Sequence, residues 1–123
     1  MAKVTGIGGF FFRARDPKAL ATWYETHLGI DDIAKTVWRQ QEGPTVFTPF
    51  AENTDYFGRA GQQWLINFRV DDLDGTLTAL REEGCQVMDR YEDSEQGKFG
   101  YVMDPEGGLI ELWQPAAEDS SLK

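Results

Sequence analysis

Two stretches of this chain answer each other in kind: Phe12-Arg13-Ala14-Arg15-Asp16 is matched further on by Phe68-Arg69-Val70-Asp71-Asp72. Each closes an alternating apolar run and opens a helix signal. In the first, Asp16 is the natural N-cap and Pro17 the natural first helical residue; Leu20, Trp23, Tyr24 and Leu28 form the apolar stripe and Gly29 ends it. In the second, Asp71 or Asp72 caps a helix whose Leu73, Leu77 and Leu80 stripe runs out at Gly84. Strands follow each helix, at Thr36–Gln40 and Val46–Phe50 in the first half, and at Cys85–Arg90, Gly97–Met103 and Leu109–Trp113 in the second, with an acidic loop around Glu92–Glu95. A repeated strand-helix-strands unit leaves few folds open, and the simplest is two similar modules whose sheets combine. The fold class predicted is α+β, with modules at about residues 4–60 and 61–115, helices near Pro17–Leu28 and Leu73–Glu83, and a polar tail over residues 116–123.

Strand alternation then sorts the side chains into two faces. Phe10, Phe12, Ile66, Phe68, Val70, Ile110 and Leu112 share the side that the helices would cover. The other side receives Phe11, Arg13, Asn67, Arg69, Glu111 and Trp113. Arginines, an amide, a carboxylate and aromatics make a poor core and a plausible binding cleft. Glu111 stands between Leu109 and Trp113 on its face, so it is either paired there, with Arg13 or Arg69, or acts as a catalytic base. Trp23 belongs to the core. Trp38, Trp64 and Trp113 are candidates to line the cleft, with ordinary edge packing as the alternative.

Charge and composition exclude several partners. The net charge of −9 is carried by the second half: seven basic and seven acidic residues precede Gly61, whereas five basic and fourteen acidic ones follow from there. No basic face is available for phosphates, so nucleic acid is not an expected partner. No apolar run approaches the roughly 20 residues that span a bilayer, and the start lacks a secretory apolar core, so no membrane partner and a cytoplasmic location are expected. The one cysteine, Cys85, reads as a half-buried strand residue, and His27 as a histidine at the negative end of a helix.

The motifs Phe12 to Pro17 with Trp23-Tyr24 and Leu28-Gly29, then Val70-Asp71-Asp72-Leu73, then Asp104-Pro105-Glu106-Gly107 with Ile110-Glu111-Leu112-Trp113, resemble the vicinal oxygen chelate superfamily. That group includes glyoxalase I, bleomycin-resistance proteins and extradiol dioxygenases. The resemblance implies paired βαβββ modules in a U-shaped mixed sheet with helices on its convex side, and a homodimer completing or flanking the cleft. Enzymes of the group hold a divalent metal with side chains from four strands. The corresponding places here fall on Gly9, near Thr48, on Leu65 and on Glu111, and only Glu111 keeps a ligand type. The resemblance therefore implies a protein with no metal or other cofactor that binds a small aromatic or cationic molecule. Phe11, Arg13, Trp38, Thr48, Trp64, Asn67, Arg69 and Trp113 are the expected contacts. The alternative is a lyase, isomerase or dioxygenase-like enzyme using Glu111 with an atypical metal site or as general base.

Overall fold

A computed structural model describes residues 2–32 and 34–117. The sheet has four strands: β1 (Ile66–Arg69), β2 (Gln86–Ser94), β3 (Gly97–Met103) and β4 (Leu109–Pro115), in spatial order β1-β4-β3-β2. β1 runs parallel to β4 and the other pairs are antiparallel, so the sheet is mixed. Helix α1 spans Pro17–Leu28 and α2 spans Leu73–Glu82. The class is α+β, as the sequence pattern implies.

Both helices start as their caps dictate. Asp16 accepts from the Ala19 amide at 3.1 Å, and Asp72, rather than Asp71, accepts from the Gly75 amide at 3.0 Å. The apolar stripes then meet one face of the sheet. Leu20 and Tyr24 from α1 and Leu73, Leu77 and Leu80 from α2 bury against Val102, Ile110 and Leu112, with Ile66, Phe68 and Val70 at the margin. The parity of β1 and β4 is therefore the one expected from alternation. Gly100 lets α2 come close, since a Cβ there would lie 2.9 Å from a Leu77 methyl.

The second half is thus a complete strand-helix-three-strand unit. Among the described residues of the first half only the helix is regular: residues 4–14, 36–40 and 46–50 carry no strand pairing, and the sheet consists of the second half's four strands. These segments are apolar but exposed, with Val4 84%, Phe11 90% and Phe47 88% open to solvent. A strand needs a partner ladder, and within one chain none reaches them. The expected acidic loop at Glu92–Glu95 is also displaced. β2 runs on to Ser94, paired with Gly97, and turns through Glu95 and Gln96, so the acidic residues sit on an edge strand where charge discourages further pairing. Beyond residue 117, the expected tail lies outside the described residues.

The turn between β3 and β4 ties these parts together. The buried Asp104 carboxylate accepts from the Glu106 amide at 2.8 Å, the Gly108 amide at 2.9 Å and the Tyr24 hydroxyl of α1 at 2.9 Å. Gly107 takes the left-handed conformation (φ 84°) that lets the chain reverse. Glu106, next in the turn, accepts from the amides of Arg15 and Asp16 at 2.7 and 3.0 Å and so holds the approach to α1. Hydrogen bonds to a charged group are worth about 1.5–3 kcal/mol each, and stranding a buried partner adds to the loss. Asp104→Ala is therefore expected to lower the unfolding free energy by at least about 4 kcal/mol and Tyr24→Phe by about 1.5–3 kcal/mol, measured by urea denaturation followed by circular dichroism.

Candidate functional site

On the face away from the helices, register places three side chains in one row. Asn67 of β1 and Tyr101 of β3 are the cross-strand partners of Glu111 on β4. The Asn67 amide donates to Glu111 Oε1 at 2.7 Å, and the Tyr101 hydroxyl donates to Oε2 at 2.8 Å. A third donor comes from outside the sheet: the Tyr56 hydroxyl reaches both Glu111 Oε2 and the Tyr101 hydroxyl. Glu111 is 7% exposed and Tyr101 1%. A carboxylate this deep needs its lone pairs filled, and here neutral donors fill them.

Tyr56 is carried by a loop whose aromatics pack on one another. Phe50 stacks on Tyr56 with ring centroids 5.6 Å apart, and Phe57 lies 5.2 Å from Phe50. The loop's far end is pinned by Gln62, which is buried and pairs its amide with both the carbonyl (3.1 Å) and the N–H (2.9 Å) of Leu109. On the other flank, an irregularity in β2 sets residues 88–90 opposite Tyr101 alone. Arg90 thereby lays its guanidinium over two rings, 4.3 Å from the Tyr56 centroid and 4.7 Å from that of Tyr101. The result is an aromatic ledge of Phe50, Tyr56 and Arg90 above a buried carboxylate.

The residues expected from sequence separate into two groups. Asn67 and Glu111 are in the site, and Trp113 lies on the same face but is buried, stacked on Phe99 at 5.9 Å with its indole N–H donating to the Gln96 carbonyl. Arg69 turns away and donates to the Gln41 carbonyl at 2.9 Å. Neither Arg69 nor Arg13, which is exposed, forms an ion pair with Glu111 among the described residues; two phenols and an amide take that role instead. Trp38 meets Phe68, on the helix side, and Trp64 meets Phe10. Phe11 and Thr48 are exposed. Tyr56, Tyr101, Arg90 and Phe50 are the members that sequence reasoning missed. Tyr101 was within reach, because alternation along β3 and the short turn place it across from Glu111. Tyr56 sits in an irregular loop and has no periodic signal.

The divalent metal that enzymes of the superfamily hold does not fit these residues. Gly9 and Leu65 offer no side-chain donor, Thr48 points to no carboxylate partner, and both Glu111 oxygens already accept from protein donors. An ion would have to displace Tyr56, Tyr101 or Asn67 and would gain one carboxylate.

Residues 9–113 match the family described as a glyoxalase-like domain. The chain belongs to that family. Among solved structures, TnmS3, an antibiotic binding protein from Streptomyces sp. CB03234, superposes with a TM-score of 0.62 at 19% identity, over 94% of this chain and 100% of that one. A protein from the mobile metagenome of V. Pseudocholerae superposes with a TM-score of 0.58 at 20% identity, over 94% of this chain and 98% of that one. At these identities the likeness is one of fold. No curated protein matches the chain. In this glyoxalase-like domain no helix among the described residues is long and apolar enough to cross a membrane.

The site has a signature at high pH. Burial, and then the bond to Glu111, raise Tyr56 from 10.0 to about 12, and burial with bonds to Tyr56 and Glu111 raises Tyr101 further. The folded state thus keeps phenolic protons that the unfolded chain loses. Stability from these groups is complete below the ordinary value of 10.0 and is lost as pH rises through about 12. Urea midpoints are expected to fall across that window, and Tyr56→Phe is expected to make the fall shallower. A fall of equal steepness in Tyr56→Phe would show that this hydroxyl is not held as described.

Proposed function

We propose that this glyoxalase-like domain binds a flat, aromatic small molecule on the Phe50–Tyr56–Arg90 ledge, with Asn67 alongside, and without the superfamily's metal centre. The observation that carries the reading is the state of Glu111, whose oxygens are already satisfied by Tyr56, Tyr101 and Asn67. A carboxylate engaged in this way supports a wall that positions a ligand better than it supports a general base. Arg90 already supplies a cation to the tyrosine faces, which favours a planar aromatic over a cationic ligand. The fold shared with TnmS3, an antibiotic binding protein, is in keeping with sequestration. The enzyme alternative needs Glu111 as base, with Arg13 and Arg69 beside it, and both arginines are directed elsewhere or exposed.

The active form on this reading is a cytoplasmic homodimer. Its support is the exposed apolar side chains at residues 4–14 and 36–50, which carry no strand pairing, together with β1 as a free sheet edge. Light scattering at micromolar concentration is expected to give about twice the 13.9 kDa chain mass.

Binding is tested by calorimetry with a panel of planar aromatic compounds. Tyr56→Ala removes a stacking surface worth about 0.5–1.5 kcal/mol, so affinity is expected to fall roughly two- to tenfold. Glu111→Gln is expected to leave the metal content of the purified protein unchanged. Metal lost in Glu111→Gln, or aromatic binding indifferent to Tyr56→Ala, would return the enzyme reading to first place.

A further inference from the structure

On the opposite side of the sheet from Glu111, the two helices end beside each other. His27 lies in the last turn of α1, Glu83 caps the C-terminus of α2, and Cys85 follows after Gly84, whose left-handed backbone (φ 83°) brings the chain back toward α1. A His27 ring nitrogen, a Glu83 carboxylate oxygen and the Cys85 sulfur all lie within 4.8 Å of one another. We propose that these three side chains bind a divalent, borderline-soft transition ion of the zinc class, with water completing a four-coordinate shell.

The donor set suits such an ion. Nitrogen, sulfur and oxygen donors held tetrahedrally around zinc stand roughly 3.3–3.6 Å apart, given bonds of about 2.0–2.3 Å. The present spacing brackets that range. His27 Nδ1 and Glu83 Oε1 are closer, at 2.6 Å, as a hydrogen-bonded pair. The ion replaces the bonding proton and the two atoms separate by under about 1 Å. The openness of the site leaves room for it: the Glu83 side chain is 45% exposed, and that of His27 is 19% exposed. His27 is steadied by Trp23, whose ring lies 5.4 Å away, so one donor is fixed in advance.

The local field also favours a cation. α1 and α2 both direct their C-terminal ends, the negative ends of their backbone dipoles, toward this corner, and Glu83 adds a carboxylate. The Cys85 thiol would release its proton to the solvent when an ion binds, since the thiolate is the ligating form. The ion would clip α1, the one regular element among the described residues of the first half, to the second half. That site is separate from the Glu111 face, and it does not depend on the proposed ligand-binding role.

The experiment uses the intact chain and the metal alone. Cobalt(II) and zinc are titrated into apoprotein, with the thiolate-to-cobalt charge-transfer absorption and the zinc-dependent melting temperature as readouts. One ion per chain is expected, with the absorption abolished in Cys85→Ser. Affinity in His27→Gln is expected to fall by at least tenfold, the least that even outer-shell partners of a metal cost. Glu111→Gln is expected to bind as the parent does. Absence of the charge-transfer band, or equal affinity in Cys85→Ser and His27→Gln, would assign any bound ion to the acidic surface and overturn the proposal. Loss in Glu111→Gln alone would overturn it as well, and would place the ion on the opposite face of the sheet.

Discussion

The Asp104 carboxylate is the interaction on which the rest of this structure depends. It is buried and accepts two backbone amides of its own turn at Oδ1 and one hydroxyl from α1 at Oδ2, so one carboxylate satisfies the turn and docks the helix. The adjacent Glu106 carboxylate accepts the two amides that lead into α1, and these bonds hold it below the usual carboxylate range. Tyr24 answers from the other side, its hydroxyl raised by burial and then by the neighbouring Asp104 charge. One turn thereby joins the first half of the chain to the sheet of the second.

The same turn sets the site. With Met103 paired to Leu109 immediately on either side of it, Tyr101 must fall opposite Glu111, and the parallel pairing of β1 then brings Asn67 to the other flank. A slip of one residue would send Glu111 into the helix-covered core and Ile110 into the site. Register here is therefore fixed twice, by the Asp104 network and by the cost of burying a carboxylate among Leu77, Leu80 and Val102.

How much of this was legible in the sequence depended on whether a residue's position follows from local rules. Asp16, Pro17 and Gly29 bound α1 through short-range chemistry, and alternation alone assigned Ile66, Phe68, Ile110 and Leu112 to the core side. The direction of a long side chain is another matter. Arg69 lies on the same face as Glu111 yet spends its guanidinium on the Gln41 carbonyl, a choice made by a loop far off in sequence. Tyr56 enters the site from a loop with no period, and Arg90 reaches it because an irregularity in β2 re-aims the strand. In the first half, alternation describes segments that carry no strand pairing, since a pattern can specify which face is apolar without supplying the strand that covers it.

Glu111 shows why one retained residue is a weak guide to chemistry. A buried carboxylate can be made tolerable by a metal ion, by a basic side chain or by hydrogen-bond donors, and each solution leaves it with a different reactivity. Here the donors are two phenols and an amide, all neutral, and the cation in the neighbourhood, Arg90, lies over the ring faces of Tyr56 and Tyr101. The charge of Glu111 is thus spread through hydroxyl dipoles into rings whose exposed side carries Phe50 and Arg90. A carboxylate wired in this way stiffens an aromatic surface, and the part of the site open to a visitor is the surface, not the carboxylate.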